Sequence, residues 1–185
     1  MVVRLVVFGR QGAGKGTQCV RLSEHYGAPH ISTGDMLREA IAEGTDFGRK
    51  AAEYTEAGKL LPDDIMLGLI EDRLNKSDVV EHGFLLDGFP RTVGQAQALV
   101  ALTTIDQAIN IEVPEDLVLE RMIDRDRSDD TPEAIATRLE AYRTQTVPAV
   151  EHFDDLGLLS TVDGVGGMDE VTGRLFAAID AVVAS

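Results

Sequence analysis

Apolar runs and amphipathic stretches alternate along this chain. Residues 2–8, VVRLVVF, are apolar except for Arg4 and predict a buried strand. Helical sequence follows to Tyr26 and stops at Gly27 and Pro29. PHIS (29–32) predicts a short second strand, and residues 34–57 predict helix with weak breaks at Gly44 and Gly48. Gly58 ends that section. Pro62-Asp63-Asp64 opens the next helix, with proline in the first turn and two acids at the positive end of the dipole. GFLLD (83–87) is a third strand, followed by a helix near 92–102 and the strand IDQAINIEV (105–113). Pro114-Glu115-Asp116 and Thr131-Pro132-Glu133 each start a helix. LLSTVD (158–163) is the last strand. The final helix places Val171, Leu175, Ala178, Ile179 and Val182 on one face.

Strands separated by helices predict βαβ units and a parallel sheet covered on both faces. The fold class is therefore α/β, one domain over residues 1–185, with no repeat, low-complexity tract or linker. Ligands in such folds sit beyond the carboxyl ends of the strands. At 44% apolar and 26% charged residues, the composition is that of an ordinary globular protein. The opening apolar run is too short to span a membrane, and no signal-peptide pattern accompanies it. A single cysteine, Cys19, excludes an internal disulfide and a cysteine-cluster zinc site, and fits a reducing, cytoplasmic setting. The net charge of −15 and the lack of a dominant basic patch argue against nucleic acid. That acidity also sets a condition on anionic substrates: local cations must receive them.

Three blocks supply the chemistry. GRQGAGKGT (9–17) follows a predicted strand and opens a predicted helix, which is the setting of a phosphate-binding loop. Gly9 and Gly14-Lys15 have the required spacing. Gly16 stands where a magnesium-holding hydroxyl is usual, and Thr17 comes one position late. Gly12, Gly14 and Gly16 would let backbone amides face phosphate oxygens, and Lys15 would reach the β and γ phosphates. A glycine-rich turn without ligand is the bland alternative. A dinucleotide fingerprint fits worse, because residue 17 is Thr and the lysine would have no task. In GFLLDGFPRT, the strand ends in Asp87, suited to hold magnesium directly or through water. A carboxylate that only caps a turn is its alternative. Arg121 and Arg125 share a helical face, with Arg127 and Arg138 downstream. Four converging guanidinium groups would clamp phosphoryl oxygens; for the first two, a solvated salt-bridged face is the other reading. Cys19 reads as a packed small side chain. His25, His30, His82 and His152 lack ligand-like spacing and read as surface or packing residues.

GRQGAGKGTQ, ISTGDMLR, GKLLPDD, GFLLDGFPRT with Gln95 behind it, and ERMIDRDRSDDTPEAIATRLEAY closely resemble the adenylate kinases, in that family's order and over nearly the whole chain. The resemblance accounts for Gly16-Thr17, a family form of the loop. It implies a P-loop kinase fold with a five-stranded parallel sheet, an AMP-binding insertion at 32–61 and a short lid at 124–130. The implied reaction is Mg-ATP plus AMP giving two ADP, which maintains adenine nucleotide balance. On this reading Gly12, Ala13, Gly14, Lys15, Gly16 and Thr17 hold the donor phosphates, with Arg121, Arg125 and Gly166 facing the donor nucleotide. Thr33, Arg38, Lys59, Leu60, Leu61, Gly88, Phe89, Pro90, Arg91 and Gln95 surround AMP, while Arg127 and Arg138 bridge to it. Lys15, Arg91, Arg125, Arg127 and Arg138 form the catalytic set, and Mg2+ leans on Asp87 through water. Thr33 and Thr92 match the AMP-specific pattern, where pyrimidine nucleotide kinases commonly carry Ala and Asn. The family also implies a monomer acting in the cytoplasm without membrane or nucleic-acid partners. Two positions depart from the pattern: Gln11 replaces a usual proline, and Asp124 a usual glycine. The missing cysteines exclude a zinc-bearing lid.

Overall fold

The computed structural model describes residues 2–124 and 131–183. Five strands, β1 (Val3–Phe8), β2 (His30–Ser32), β3 (Gly83–Asp87), β4 (Gln107–Glu112) and β5 (Leu159–Asp163), pair in parallel in the order β2-β3-β1-β4-β5. The helices are α1 (Lys15–Tyr26), α2 (Thr33–Ala42), α3 (Asp46–Glu56), α4 (Asp63–Leu74), α5 (Ser77–His82), α6 (Val93–Leu102), α7 (Glu115–Asp124), α8 (Pro132–Ala141), α9 (Val147–Asp155) and α10 (Met168–Val183). A π-helical turn, Tyr142–Thr146, joins α8 to α9.

The period-two rule of strands splits the core. Val6 and Phe8 of β1, with Phe84 and Leu86 of β3, face the layer containing α4, α6 and α9. Val3, Leu5 and Val7, with Leu85, Ile109 and Ile111, face α1, α7, α8 and α10. Leu5, Leu85 and Ile109 are fully buried. Truncating any one to alanine is expected to cost about 2–5 kcal/mol. The chain leaves β1 into α1 on one face, and leaves β3 for α6 on the other. Connections that diverge from neighbouring strands open a crevice at their carboxyl ends.

The segment expected as helix over 34–57 divides into α2 and α3. Gly44 adopts φ 65, and Thr45 caps α3 by accepting a hydrogen bond from the Gly48 amide. Gly48 itself breaks nothing. It lies inside α3, where a Cβ would sit 1.9 Å from the Ala40 carbonyl oxygen, so α2 and α3 cross at backbone contact. On α10, Val171, Leu175 and Ile179 are buried, but Val182 is 43% exposed and Val183 packs inward instead. A period of 3.6 residues from Ile179 falls between those two positions. Helix α5 and the π turn were not expected; six residues and five residues are too few to show a clear period.

Candidate active site

At the carboxyl ends of β1, β2 and β3 lies a cavity of about 450 Å³. That is within the usual size for a small-molecule site. Gly9–Gly14 form its floor as the turn between β1 and α1. Two of these glycines are set by packing. A Cβ on Gly9 would lie 2.8 Å from the Ile111 carbonyl oxygen, and one on Gly12 would lie 2.7 Å from that of Val118. Gly14 and Gly16 differ: a Cβ there would meet nothing within 4 Å, so both backbones stand open to the cavity. Gly14 is also the N-cap of α1, at φ 90, which brings a helix N-terminus to the floor.

Lys15 lines the cavity and donates from Nζ to the carbonyl oxygens of Gly9 (2.8 Å) and Arg10 (3.2 Å). Arg10 is fixed in turn. Its guanidinium donates to the Val113 carbonyl oxygen at 3.2 Å and lies 5.5 Å from the centre of the Tyr142 ring, while the Tyr142 hydroxyl meets Asn110 Oδ1. Ala13 turns away from the cavity into the core layer beneath the loop. Thr17 and Gly16 line the cavity at the start of α1.

The opposite wall comes from α2, the turn after Gly58, and the segment following β3. Thr33, Arg38, Lys59, Leu60, Leu61, Gly88, Phe89, Pro90, Arg91 and Gln95 all line it. A chain of hydrogen bonds holds them. Thr33 Oγ1 donates to the Asp87 carbonyl oxygen (3.3 Å), and Arg91 Nε donates to that of Gly88 (2.6 Å). The Arg91 amide donates to Gln95 Oε1 (2.7 Å). Asp63 accepts from both Gln95 Nε2 (2.7 Å) and Thr92 Oγ1 (3.0 Å), and Thr92 caps α6. Gly88, at φ 82, leaves no room for a side chain: a Cβ would lie 2.6 Å from Thr33 Oγ1. Arg38 pairs with Asp35, three residues before it.

Arg121 of α7 and Arg138 of α8 reach the same cavity. Arg138 also donates to the Thr55 carbonyl oxygen at 3.0 Å, which ties α8 to α3. Arg125 and Arg127 lie outside the described residues, as does the lid expected at 124–130 beyond its first residue. Gly166 lies apart from the cavity, in the loop between β5 and α10, where the Gly167 amide donates to Glu170 Oε2.

Asp87 is buried at the end of β3 and lines the cavity. Burial alone would raise the pKa of its carboxyl. His30, Lys15 and Arg91 outweigh that and hold it below the ordinary carboxylate value, so it is ionised at neutral pH. His30 Nε2 lies 3.7 Å from Asp87 Oδ2, an ion-pair separation rather than a hydrogen bond. Arg91 has its pKa lowered by burial, against the pull of Asp87, yet a guanidinium stays charged at any working pH. Together the walls present Lys15, Arg38, Arg91, Arg121 and Arg138 to one space, within a chain of net charge −15. These are the local cations that anionic substrates require.

Sequence spacing missed three participants. Asp63 reads as a helix-start acid, yet it organises Thr92 and Gln95. His30 reads as a packing residue, yet the pairing of His30 with Leu85 brings it beside Asp87. Arg10 offers no signal beyond being next to the loop. All three contacts are made across strands or elements far apart in the chain.

Comparison with known proteins agrees with this geometry. Residues 7–158 match the family model described as adenylate kinase. A curated adenylate kinase of Nocardia farcinica is 47% identical over 96% of this chain and 99% of its own length. One from Stenotrophomonas maltophilia is 46% identical over 97% and 100%, and one from Corynebacterium aurimucosum 48% over 96% and 99%. With a glycine-rich loop facing a cation-lined wall across one cavity, and with relatives this similar end to end, the chain belongs to the adenylate kinase family.

Proposed function

We propose that the cavity catalyses reversible transfer of the terminal phosphoryl group of Mg-ATP to AMP, giving two ADP, and so maintains adenine nucleotide balance. The observation that carries this is that one cavity has the loop and Lys15 on one side and Arg38, Arg91 and the Thr33–Gln95 hydrogen-bonded wall on the other.

The chain has little covalent chemistry to perform. Phosphoryl transfer needs in-line alignment, neutralised charge and exclusion of water. The loop from Gly12 to Thr17 and the N-terminus of α1 receive the donor phosphates. Lys15 leaves its two carbonyl partners and follows the charge as it moves. Arg91 and Arg138 hold the acceptor phosphate, with Arg38 beside them. Arg121 supports the donor side. Arg125, Arg127 and Gly166 are assigned donor and bridging roles by family resemblance. Thr33, Gly88 and Gln95 define the acceptor base pocket, with Lys59, Leu60 and Leu61 along its edge. The attacking oxygen already belongs to a phosphate, so no side chain acts as a strong base. The donor set suits magnesium: Asp87 is ionised and faces the cavity beside the loop, so it would hold the ion through water. The bound ion supplies neutralisation of phosphate charge. Residues 32–61 serve as the acceptor insertion and 124–130 as a short lid.

No helix among the described residues is long and apolar enough to cross a membrane. A monomer free in the cytoplasm fits the reading. The test is ADP formation from ATP and a panel of acceptors, with and without magnesium. Faster turnover with UMP or CMP than with AMP would overturn the acceptor assignment.

A further inference from the structure

Beneath the loop, three donor atoms from three different elements come together. Cys19 Sγ on α1, a ring nitrogen of His30 at the start of β2 and an Asp87 carboxylate oxygen at the end of β3 all lie within 4.8 Å of one another. The fold explains the meeting. Asp87 falls two residues beyond Leu85, hence on the same sheet face, where Leu85 packs in the layer with Cys19. His30 is the strand partner of Leu85.

His30 Nε2 is buried and has no hydrogen-bond partner. It faces Asp87 Oδ2 across 3.7 Å. That gap is too long for a hydrogen bond. It is close to the roughly 3.4 Å that separates nitrogen and oxygen ligands on one tetrahedral zinc ion. A thiolate at its usual bond length would lie about 3.6 Å from the same nitrogen. From a separation of at most 4.8 Å, the sulfur needs to close by no more than about 1.2 Å, within reach of a side-chain rotation.

We propose that Cys19, His30 and Asp87 form a binding site for a thiophilic divalent cation, Zn2+ above all, whose occupation inhibits phosphoryl transfer. Sulfur, imidazole and carboxylate suit zinc, while magnesium demands an octahedron of oxygens and finds only one here. Binding breaks the Cys19 S–H bond, releases that proton to solvent and forms the metal–sulfur bond. The fourth ligand position is left to water. The inhibition follows from shared use of Asp87, which also faces the phosphate cavity. A carboxylate drawn toward His30 and Cys19 is lost to the hydrated magnesium of the substrate.

The test begins with nucleotide-free protein and Co2+ as an optical probe. A sulfur-to-cobalt charge-transfer band should grow to one ion per chain, vanish on adding Zn2+, persist in excess Mg2+, and be absent from Cys19→Ser. This arm stands apart from the phosphotransfer reading. In the second arm, the Zn2+ concentration giving half-inhibition at saturating Mg-ATP and AMP should rise at least tenfold in Cys19→Ser and in His30→Gln. All variants share the same zinc–nucleotide pool, so the difference reports the protein site. Should Cys19→Ser fail its circular-dichroism melt, His30→Gln decides both arms, through loss of one-to-one binding. Stoichiometric cobalt binding without a sulfur band, or equal zinc inhibition of parent and folded variants, would overturn the proposal.

Discussion

The proposed acceptor wall and the loop that faces it are built by different means. The wall is made of side chains already locked to one another: Thr33 to the end of β3, Arg91 to Gly88 and Gln95, and Gln95 and Thr92 to Asp63. The loop is made of backbone. Its surface toward the cavity is Gly14, Gly16 and a helix N-terminus, and its cavity-lining cation, Lys15, rests on carbonyl oxygens of the same loop. A preformed net of side chains fixes shape before ligand arrives, which favours selectivity for one base. A backbone cradle reads charge and tolerates the rest. We expect this chain to discriminate among acceptors more sharply than among donors.

The strongest way to break the comparison is Lys15→Met. The loop backbone would remain, so donor binding should weaken only moderately while kcat falls by about 10³-fold. Turnover equal to the parent would remove Lys15 from the chemistry. Arg91→Ala comes next. We expect kcat lower by about 10²-fold with a raised KM for AMP. Arg91→Lys should recover little, because one ammonium cannot reproduce the contacts of the planar fork. Steady-state kinetics with AMP varied will show whether the loss is on that side.

Asp63→Asn sharpens the comparison without touching either ligand. It turns one of the two accepting oxygens into a donor, so Gln95 Nε2 or Thr92 Oγ1 loses its charged acceptor, and the KM for AMP should rise about tenfold. The KM for ATP should hold. An equal rise for both substrates would mean that the two sides are not independent. Arg10→Ala is the counterpart beneath the loop. It removes the link to Tyr142 and Val113, and the KM for ATP should rise about two- to fivefold at unchanged KM for AMP.

The smallest effect is on stability. Asp87 has a lower pKa folded than unfolded, so its contribution is complete above the unfolded value of about 4. That contribution is lost as pH falls through the folded value. The Tm of the parent should therefore drop more steeply below pH 4 than that of Asp87→Asn. Parallel curves would show that the neighbouring cations do not stabilise the carboxylate.

What the sequence disclosed, and what it hid, follows the same division. β1 and β3 were legible as short apolar runs, and β2, β4 and β5 as brief stretches with apolar residues set between helix stops and helix starts. The loop was legible because its function demands glycine and lysine at fixed spacing in adjacent residues. Gly44 and Gly48 looked alike as weak breaks. Only the first is one, since the role of the second is set by Ala40 on a neighbouring helix, a contact with no local signature. His30 has no ligand-like spacing because its partners lie 11 residues before it and 57 after it, on α1 and β3. Family resemblance carried Arg91 and Gln95 to the acceptor wall, but nothing in the chain announced that Asp63 supports them.

The meeting of Gly48 with Ala40 has a mechanical consequence. Two helices that touch backbone to backbone, with no side chain between them to roll or re-pack, resist sliding past each other. Whatever bending the segment from Ser32 to Leu61 undergoes is then forced to its ends, near β2 and Gly58, and the pair travels as one rigid lever. A bulkier residue at position 48 would do more than destabilise α3. It would wedge the lever apart and turn a hinge into a loose joint.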